Sequence, residues 1–281
     1  MFIRAAAVAL SLFAIAAEPL AAQTIERLQE TEELRLGFRI DAAPLSFLGD
    51  NNQPQGYAPL ICTRIAEMIA DDMGLQSITV NFIPVTTENR FEKVANDEID
   101  LLCGAATITL ARREMVDFSI PIFVDGTAVL MPAGGATDLA ELAGQSIGVR
   151  AGTTTEQMLI NTLETAGIAA TVVTFGNHQA GIEALGNEEI AAYFGDQSIL
   201  YGLLGQTDMA ERFAISENTL SVEKHGLALR RGDADFRLAV DHALSRLYAN
   251  GAMEESFRAS FPGATPGVAL RALFLIGPEL P

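Results

Sequence analysis

The sequence predicts an α/β protein of two lobes, each a mostly parallel sheet flanked by helices, joined by two hinge crossings. Three observations predict it. Strand-like and helix-like segments alternate three times between residues 34 and 113, the pattern of a sheet covered on both faces. The alternation stops at an extended apolar stretch, Ile120 to Met131, and restarts beyond Gly134-Gly135. A second extended stretch, Ser221 to Leu229, precedes the C-terminal helices, so the chain returns to the lobe it left. Residues 1–22 then form a leader, 23–125 the first part of lobe 1, 126–220 lobe 2 with its hinges, and 221–281 the return to lobe 1 and a tail.

The leader, MFIRAAAVALSLFAIAAEPLAAQ, reads as a secretory signal peptide. Ala5 to Ala17 is apolar but too short to span a membrane, and Ala21 and Ala22 suit cleavage before Gln23. A soluble, exported protein with no membrane insertion is expected. Its 281 residues suffice for two lobes. The formal net charge of −18 argues against nucleic acid and anionic membranes as partners. An anionic small ligand remains compatible, because exposed charges are screened within about 8 Å at physiological salt. Cys62 and Cys103 suit either a disulfide in an exported protein or two small buried hydrophobes.

Taken in order, Thr24 to Glu33 is a polar helical lead-in, and Leu34 to Phe38 a strand running into Arg39. A turn-rich loop from Ile40 to Gly56 carries Phe47. Pro59 opens an amphipathic helix with Leu60, Ile61, Ile65, Met68 and Ile69 on one face, and Gly74 stops it. Ile78 to Val85 is a strand; Thr87 is expected to cap the next helix, with Arg90 three residues on. The strand Ile99 to Cys103 ends at Gly104, and Thr109 caps a helix that holds Arg112. In lobe 2, Asp138 to Leu142 is a short helix and Ser146 to Val149 a strand running into Gly152-Thr153-Thr154-Thr155. The helix Glu156 to Ala166 follows, then a strand, Thr171 to Phe175, ending before His178. Ile190 to Phe194 leads to Gly195-Asp196 and the helix Gln197 to Leu204; Phe213 to Asn218 is the last strand there. Phe236 to Gly251, capped near Asp233 or Asp235, and Glu254 to Phe261 are helices, and the Pro/Gly-rich tail from Pro262 is expected to pack on the surface.

Open α/β sheets bind ligands beyond the carboxyl ends of their strands. The groups at those ends are Arg39, Thr87 with Arg90, Thr107 with Arg112, Thr153 with Thr154, His178 and Asp196. Arginine suits a planar carboxylate held by two parallel hydrogen bonds. A zwitterionic acidic amino acid fits the set. Arg112 and the Thr107 N–H would take one carboxylate, Arg39, Arg90 and His178 the other, and Asp196 the ammonium, with Asp41 offsetting surplus positive charge. Each residue alone has a plainer reading. Arg112 is equally suited to pairing with Asp117, His178 and Asp196 to helix capping, and Phe47 to core packing rather than a ligand wall. The chain carries no P-loop, no GxSxG motif and no His/Cys metal spacing, so no catalytic residue, cofactor or metal is expected.

These stretches carry a resemblance. LRLGFRIDAAPLSF, GYAPLICTRIAEMI, FIPVTTENRF, DLLCGAATITLARREMVDFSIPIFVDGT, VRAGTTTEQML and YFGDQSILYG resemble the periplasmic solute-binding proteins of polar amino-acid ABC importers (family 3), over essentially the whole mature length. The glutamate/aspartate-binding branch is the nearest likeness, through VTTENR and CGAAT. The resemblance implies the periplasmic-binding-protein fold, a periplasmic monomer, closure of the lobes on an amino acid, and transient docking on ABC permease subunits. It implies that Arg112, Thr107 and Thr154 hold the α-carboxylate, Asp196 the ammonium, and Arg39, Thr87, Arg90 and His178 the side-chain carboxylate. Ala105 stands where the branch usually has serine, which leaves glutamine and asparagine as alternative ligands. A dehydratase-like enzyme on the same scaffold is the alternative from another class.

Overall fold

The computed structural model describes residues 24–135, 139–205, 211–216 and 219–279. The expected signal peptide with its cleavage site, the helix start at Asp138 and the strand end at Asn218 lie outside these residues. The first block runs α1 (Thr24–Thr31), β1 (Glu33–Arg39), β2 (Asp41–Ala42), β3 (Ser46–Leu48), β4 (Pro54–Gln55), α2 (Tyr57–Met73), β5 (Thr79–Val85), α3 (Arg90–Ala95), β6 (Leu101–Cys103), α4 (Leu110–Arg113), β7 (Val116–Phe118) and β8 (Phe123–Asp125). The second runs β9 (Thr127–Pro132), β10 (Ser146–Arg150), α5 (Thr154–Ala166), β11 (Thr171–Phe175), α6 (His178–Gly186), β12 (Ala192–Asp196), α7 (Gln197–Gly205) and β13 (Phe213–Ile215), with a 3₁₀ turn at Leu139–Leu142. The return comprises β14 (Glu223–His225), β15 (Ala228–Arg230), α8 (Ala234–Ala249), α9 (Ala252–Ser260) and α10 (Val268–Ile276).

Two five-stranded sheets result, ordered β5-β1-β6-β15-β7 and β11-β10-β12-β9-β13. β1 is parallel to β5 and β6, and β10 to β11 and β12. The antiparallel members come from the crossings. β9 enters beside β12, and β15 returns between β6 and β7. The architecture is thus the two-lobed α/β arrangement that the alternation predicts. The crossings themselves run side by side, since β8 and β14 pair antiparallel. Gly126, between β8 and β9, passes so close that an added Cβ would sit 2.2 Å from the Ser221 carbonyl oxygen.

Local chemistry accounts for most element ends. Gly74 ends α2 in the left-handed conformation at φ 69°, where a side chain would be strained. The Thr109 hydroxyl accepts the Arg112 N–H at 3.1 Å, and Asp233 accepts the Phe236 N–H to start α8. Thr87 does not cap α3. Asn89 closes that loop instead, its Oδ1 accepting the Thr86 N–H at 2.9 Å, and the helix begins at Arg90 itself. The tail is more ordered than expected. Leu270, Leu273 and Phe274 recur at helical spacing and bury one face of α10 on the core. Cys62 on α2 and Cys103 on β6 form a disulfide, with Cα atoms 6.2 Å apart, which ties the helix to the central strand of lobe 1. Among the described residues no helix is long and apolar enough to cross a membrane.

Candidate functional site

The strand ends of both sheets face one cavity lined by residues of both lobes. From lobe 1 come Arg39, Arg90, Ala105, Thr107 and Arg112; from lobe 2 come Thr153, Thr154, His178 and Asp196. Two of the residues anticipated for the site do not line it. Phe47 lies in the β2–β3–β4 ribbon, opposite Asp41 and Gln55. Thr87 is buried behind the wall, its hydroxyl donating to Glu88 at 2.8 Å, because the chain turns toward Asn89 before the helix starts. Arg112 pairs with the Thr107 carbonyl at 2.7 Å, not with Asp117.

Residues that sequence reasoning missed are Arg150, Thr155, Phe194, Gly195 and Ile199 on the wall. Arg150 is the last residue of β10, so the strand-end rule reaches it if the strand extends one residue past Val149. Glu223 was also missed. It sits on β14, and its carboxylate accepts from the hydroxyls of Thr107 at 2.7 Å and Thr154 at 2.9 Å. It therefore joins one residue from each lobe through the second crossing.

Other contacts close the lobes on each other. Arg150 donates to Asp41 Oδ2 at 3.1 Å and to Glu88 Oε1 at 2.9 Å. Asp41 is also held by Arg39, whose Nε and Nη2 donate to Oδ1 at 2.9 and 2.6 Å. Burial raises the Asp41 carboxyl, but Arg39 and Arg150 outweigh it and hold the carboxyl below its ordinary range. Gly152, at φ 72°, lies against Thr87 of lobe 1, and a Cβ there would be 3.3 Å from the Thr87 Cβ. On α7, Gly202 approaches the Ala43 carbonyl so closely that a Cβ would lie 2.7 Å from its oxygen.

Positive charge is in surplus on one side of the cavity. Arg90 is 2% exposed, and among the described residues its Nε and Nη1 have no hydrogen-bond partner. Its Nη2 makes one long bond, 3.4 Å, to the Gly152 carbonyl. Burial, then repulsion by Arg39 and Arg112, disfavours its charged form. A guanidinium does not deprotonate in proteins, so the cost persists as an unmet demand for an anion. The Arg90 and Arg112 guanidiniums both lie over the Phe91 ring, at 5.0 and 4.8 Å from its centroid, in cation–π contact.

His178 contributes no charge. Burial, followed by the field of Arg39, pushes its pKa down to about 3. Its Nδ1 lies 3.0 Å from the Tyr193 hydroxyl, which burial keeps protonated. Burial lifts Asp196 to about 6 despite His225 nearby. Thr155 donates to it at 3.3 Å. The N-terminus of α5 also lines the cavity, capped by Thr153, which accepts the Glu156 N–H at 3.1 Å. Such a helix start presents free N–H groups and favours a carboxylate.

The cavity wall thus brings arginines, a helix N-terminus and a carboxylate together between lobes already in contact. The chain is 27% identical over 259 residues to an L-glutamate/L-aspartate-binding protein of Pseudomonas aeruginosa, covering 92% of this chain and 86% of that one. It is 25% identical over 265 residues to a glutamate/aspartate import solute-binding protein of Escherichia coli, covering 94% and 88%. Among solved structures, an ancestral arginine-binding protein bound to glutamine superposes with a TM-score of 0.70 at 26% identity, over 82% of this chain and 98% of that one. Residues 34–262 match the family model of bacterial extracellular solute-binding proteins, family 3, and the chain belongs to that family.

Proposed function

We propose that this protein captures an acidic L-amino acid, glutamate or aspartate, between its lobes in the periplasm and delivers it as a monomer to an inner-membrane ABC permease. The observation that carries the reading is Arg90, a buried guanidinium with two unpartnered donors beside Arg39 and Arg112. A neutral side chain leaves that charge unpaired, whereas a second carboxylate satisfies it. Arg112, with the Thr107 N–H and the α5 N-terminus at Thr154, takes the α-carboxylate, the two threonine hydroxyls being held by Glu223. Arg39, Arg90 and His178 take the side-chain carboxylate. In the tautomer where Tyr193 donates to Nδ1, His178 carries its proton on Nε2 and offers it as a donor. Asp196 takes the ammonium. The ligand bridges the lobes and favours closure by its greater affinity for the closed state. Relatives from two organisms named for glutamate and aspartate support the same reading.

Ala105 favours a second reading, a neutral polar ligand such as glutamine or asparagine, because it brings a methyl rather than a hydroxyl to the cavity wall. Calorimetric titration of the mature protein with the twenty amino acids separates the two. Glutamate and aspartate are expected to bind, with glutamine and asparagine weaker by at least about tenfold. Tighter binding of an amide overturns the acidic assignment. Turnover of prephenate would instead favour a dehydratase-like enzyme.

A further inference from the structure

Behind the Asp196 wall, where the two crossings meet lobe 2, three ligating side chains converge. They are Asp125 at the end of β8, Asp196 at the end of β12 and His225 at the end of β14. One donor atom from each lies within 4.8 Å of the others, and His225 Nε2 is 3.7 Å from Asp196 Oδ2. His225 is 1% exposed, and neither ring nitrogen has a hydrogen-bond partner among the described residues. Asp125 is oriented by the Gly126 N–H at 2.9 Å and the Ser198 N–H at 3.3 Å on Oδ1 and by the Ser198 hydroxyl on Oδ2, which leaves one lone-pair site free on Oδ2. Among the described residues neither aspartate pairs with a lysine or arginine, and Asp125 does not line the amino-acid cavity.

Two carboxylates without a lysine or arginine partner and an imidazole with no hydrogen-bond partner among the described residues converge on one point, and a shared cation would satisfy all three. We propose that Asp125, Asp196 and His225 bind a divalent transition-metal ion, of which zinc is the type. One imidazole nitrogen with two carboxylate oxygens is a donor set zinc accepts, whereas calcium and magnesium favour oxygen alone. Tetrahedral zinc with bonds of about 2.0–2.2 Å holds its ligands about 3.4 Å apart, close to the His225–Asp196 separation and a modest side-chain shift from the rest. Three protein ligands leave a fourth position for water. Asp125 and His225 sit on the paired crossings and Asp196 on lobe 2, so the ion ties the crossings to one lobe. Because Asp196 is shared, the metal and the ammonium of an amino acid compete, and each weakens the other by the same factor.

The test uses the mature protein freed of metal by a chelator, titrated with zinc chloride in the absence of amino acid. One zinc per chain is expected. Asp125→Asn and His225→Phe, each checked by circular dichroism and melting, are expected to weaken uptake by more than about 100-fold, beyond the ~10–100-fold for loss of an outer-shell partner. In metal-free buffer Asp125→Asn is expected to bind glutamate as the parent does. Zinc should weaken glutamate binding to the parent more than to this variant, which also controls for chelation of zinc by free glutamate. Absence of zinc uptake by the parent overturns the proposal, as does uptake undiminished in both variants, or calcium bound as tightly as zinc. Because uptake is read without amino acid, its failure leaves the amino-acid assignment standing, and the converse holds.

Discussion

Arg90→Met tests the reading of the cavity most directly. The side chain is buried, and its Nε and Nη1 are unpartnered donors suited to one carboxylate. Two charge-assisted hydrogen bonds at about 1.5–3 kcal/mol each amount to about 3–6 kcal/mol. Truncating one partner of a buried charge pair costs about 2–5 kcal/mol. The overlap, ~3–5 kcal/mol, is about 150- to 5,000-fold in affinity for glutamate. The empty protein should respond in the opposite direction. Removing a desolvated cation repelled by Arg39 and Arg112 recovers more than the loss of the cation–π contact with Phe91, worth about 0.5–2 kcal/mol. A rise in melting temperature of roughly 2–4 °C per kcal/mol recovered is expected. Calorimetric titration and thermal melting of parent and variant read both effects. Arg112→Met is the control, and because every amino acid carries an α-carboxylate it should abolish binding of all of them. Glutamate affinity within a few-fold of the parent in Arg90→Met would refute the role of Arg90 and make a neutral ligand the better assignment.

Three further outcomes are expected. After unfolding without reductant, the protein should show no titratable thiol, and reduction should cost about 4 kcal/mol for a cross-link spanning 41 residues; two free thiols would contradict the pairing. His178 has its folded pKa depressed to about 3, from an unfolded value of about 6.5. The unfolded chain therefore binds the extra proton first, and stability present above pH 6.5 is lost as pH falls toward 3, by at most ~1.4 kcal/mol per pH unit. Denaturation between pH 7 and 4 should show this slope reduced in His178→Gln, and equal slopes would count against a buried neutral imidazole. Arg150→Ala removes the bridge from lobe 2 to Asp41 and Glu88. Its unliganded form should have a larger radius of gyration than the parent by small-angle scattering, with glutamate binding about 5- to 30-fold weaker; unchanged values for both would show that the bridge does not bias closure.

The alternation of strands and helices, the two crossings and most of the polar strand ends are legible in the chain's local pattern. These signals are local: hydrophobic period, caps such as Thr109, and stops such as Gly74 are written in neighbouring residues. Where the local signal is ambiguous, the structure departs from the expectation. β10 runs one residue further than its apolar run, which hid Arg150, and the turn at Asn89 displaced Thr87 from the site. Only the tertiary structure decided which groups face one another. Cys62 and Cys103 admitted two readings until α2 was laid against β6. The unpartnered donors of Arg90 emerge only once burial and every neighbour are known. Glu223, and the trio Asp125, Asp196 and His225, come from segments far apart in the chain, so no spacing rule reaches them. Long-range convergence is set by sheet order and by the paired crossings, and a one-dimensional pattern does not encode which strand ends will share a cavity.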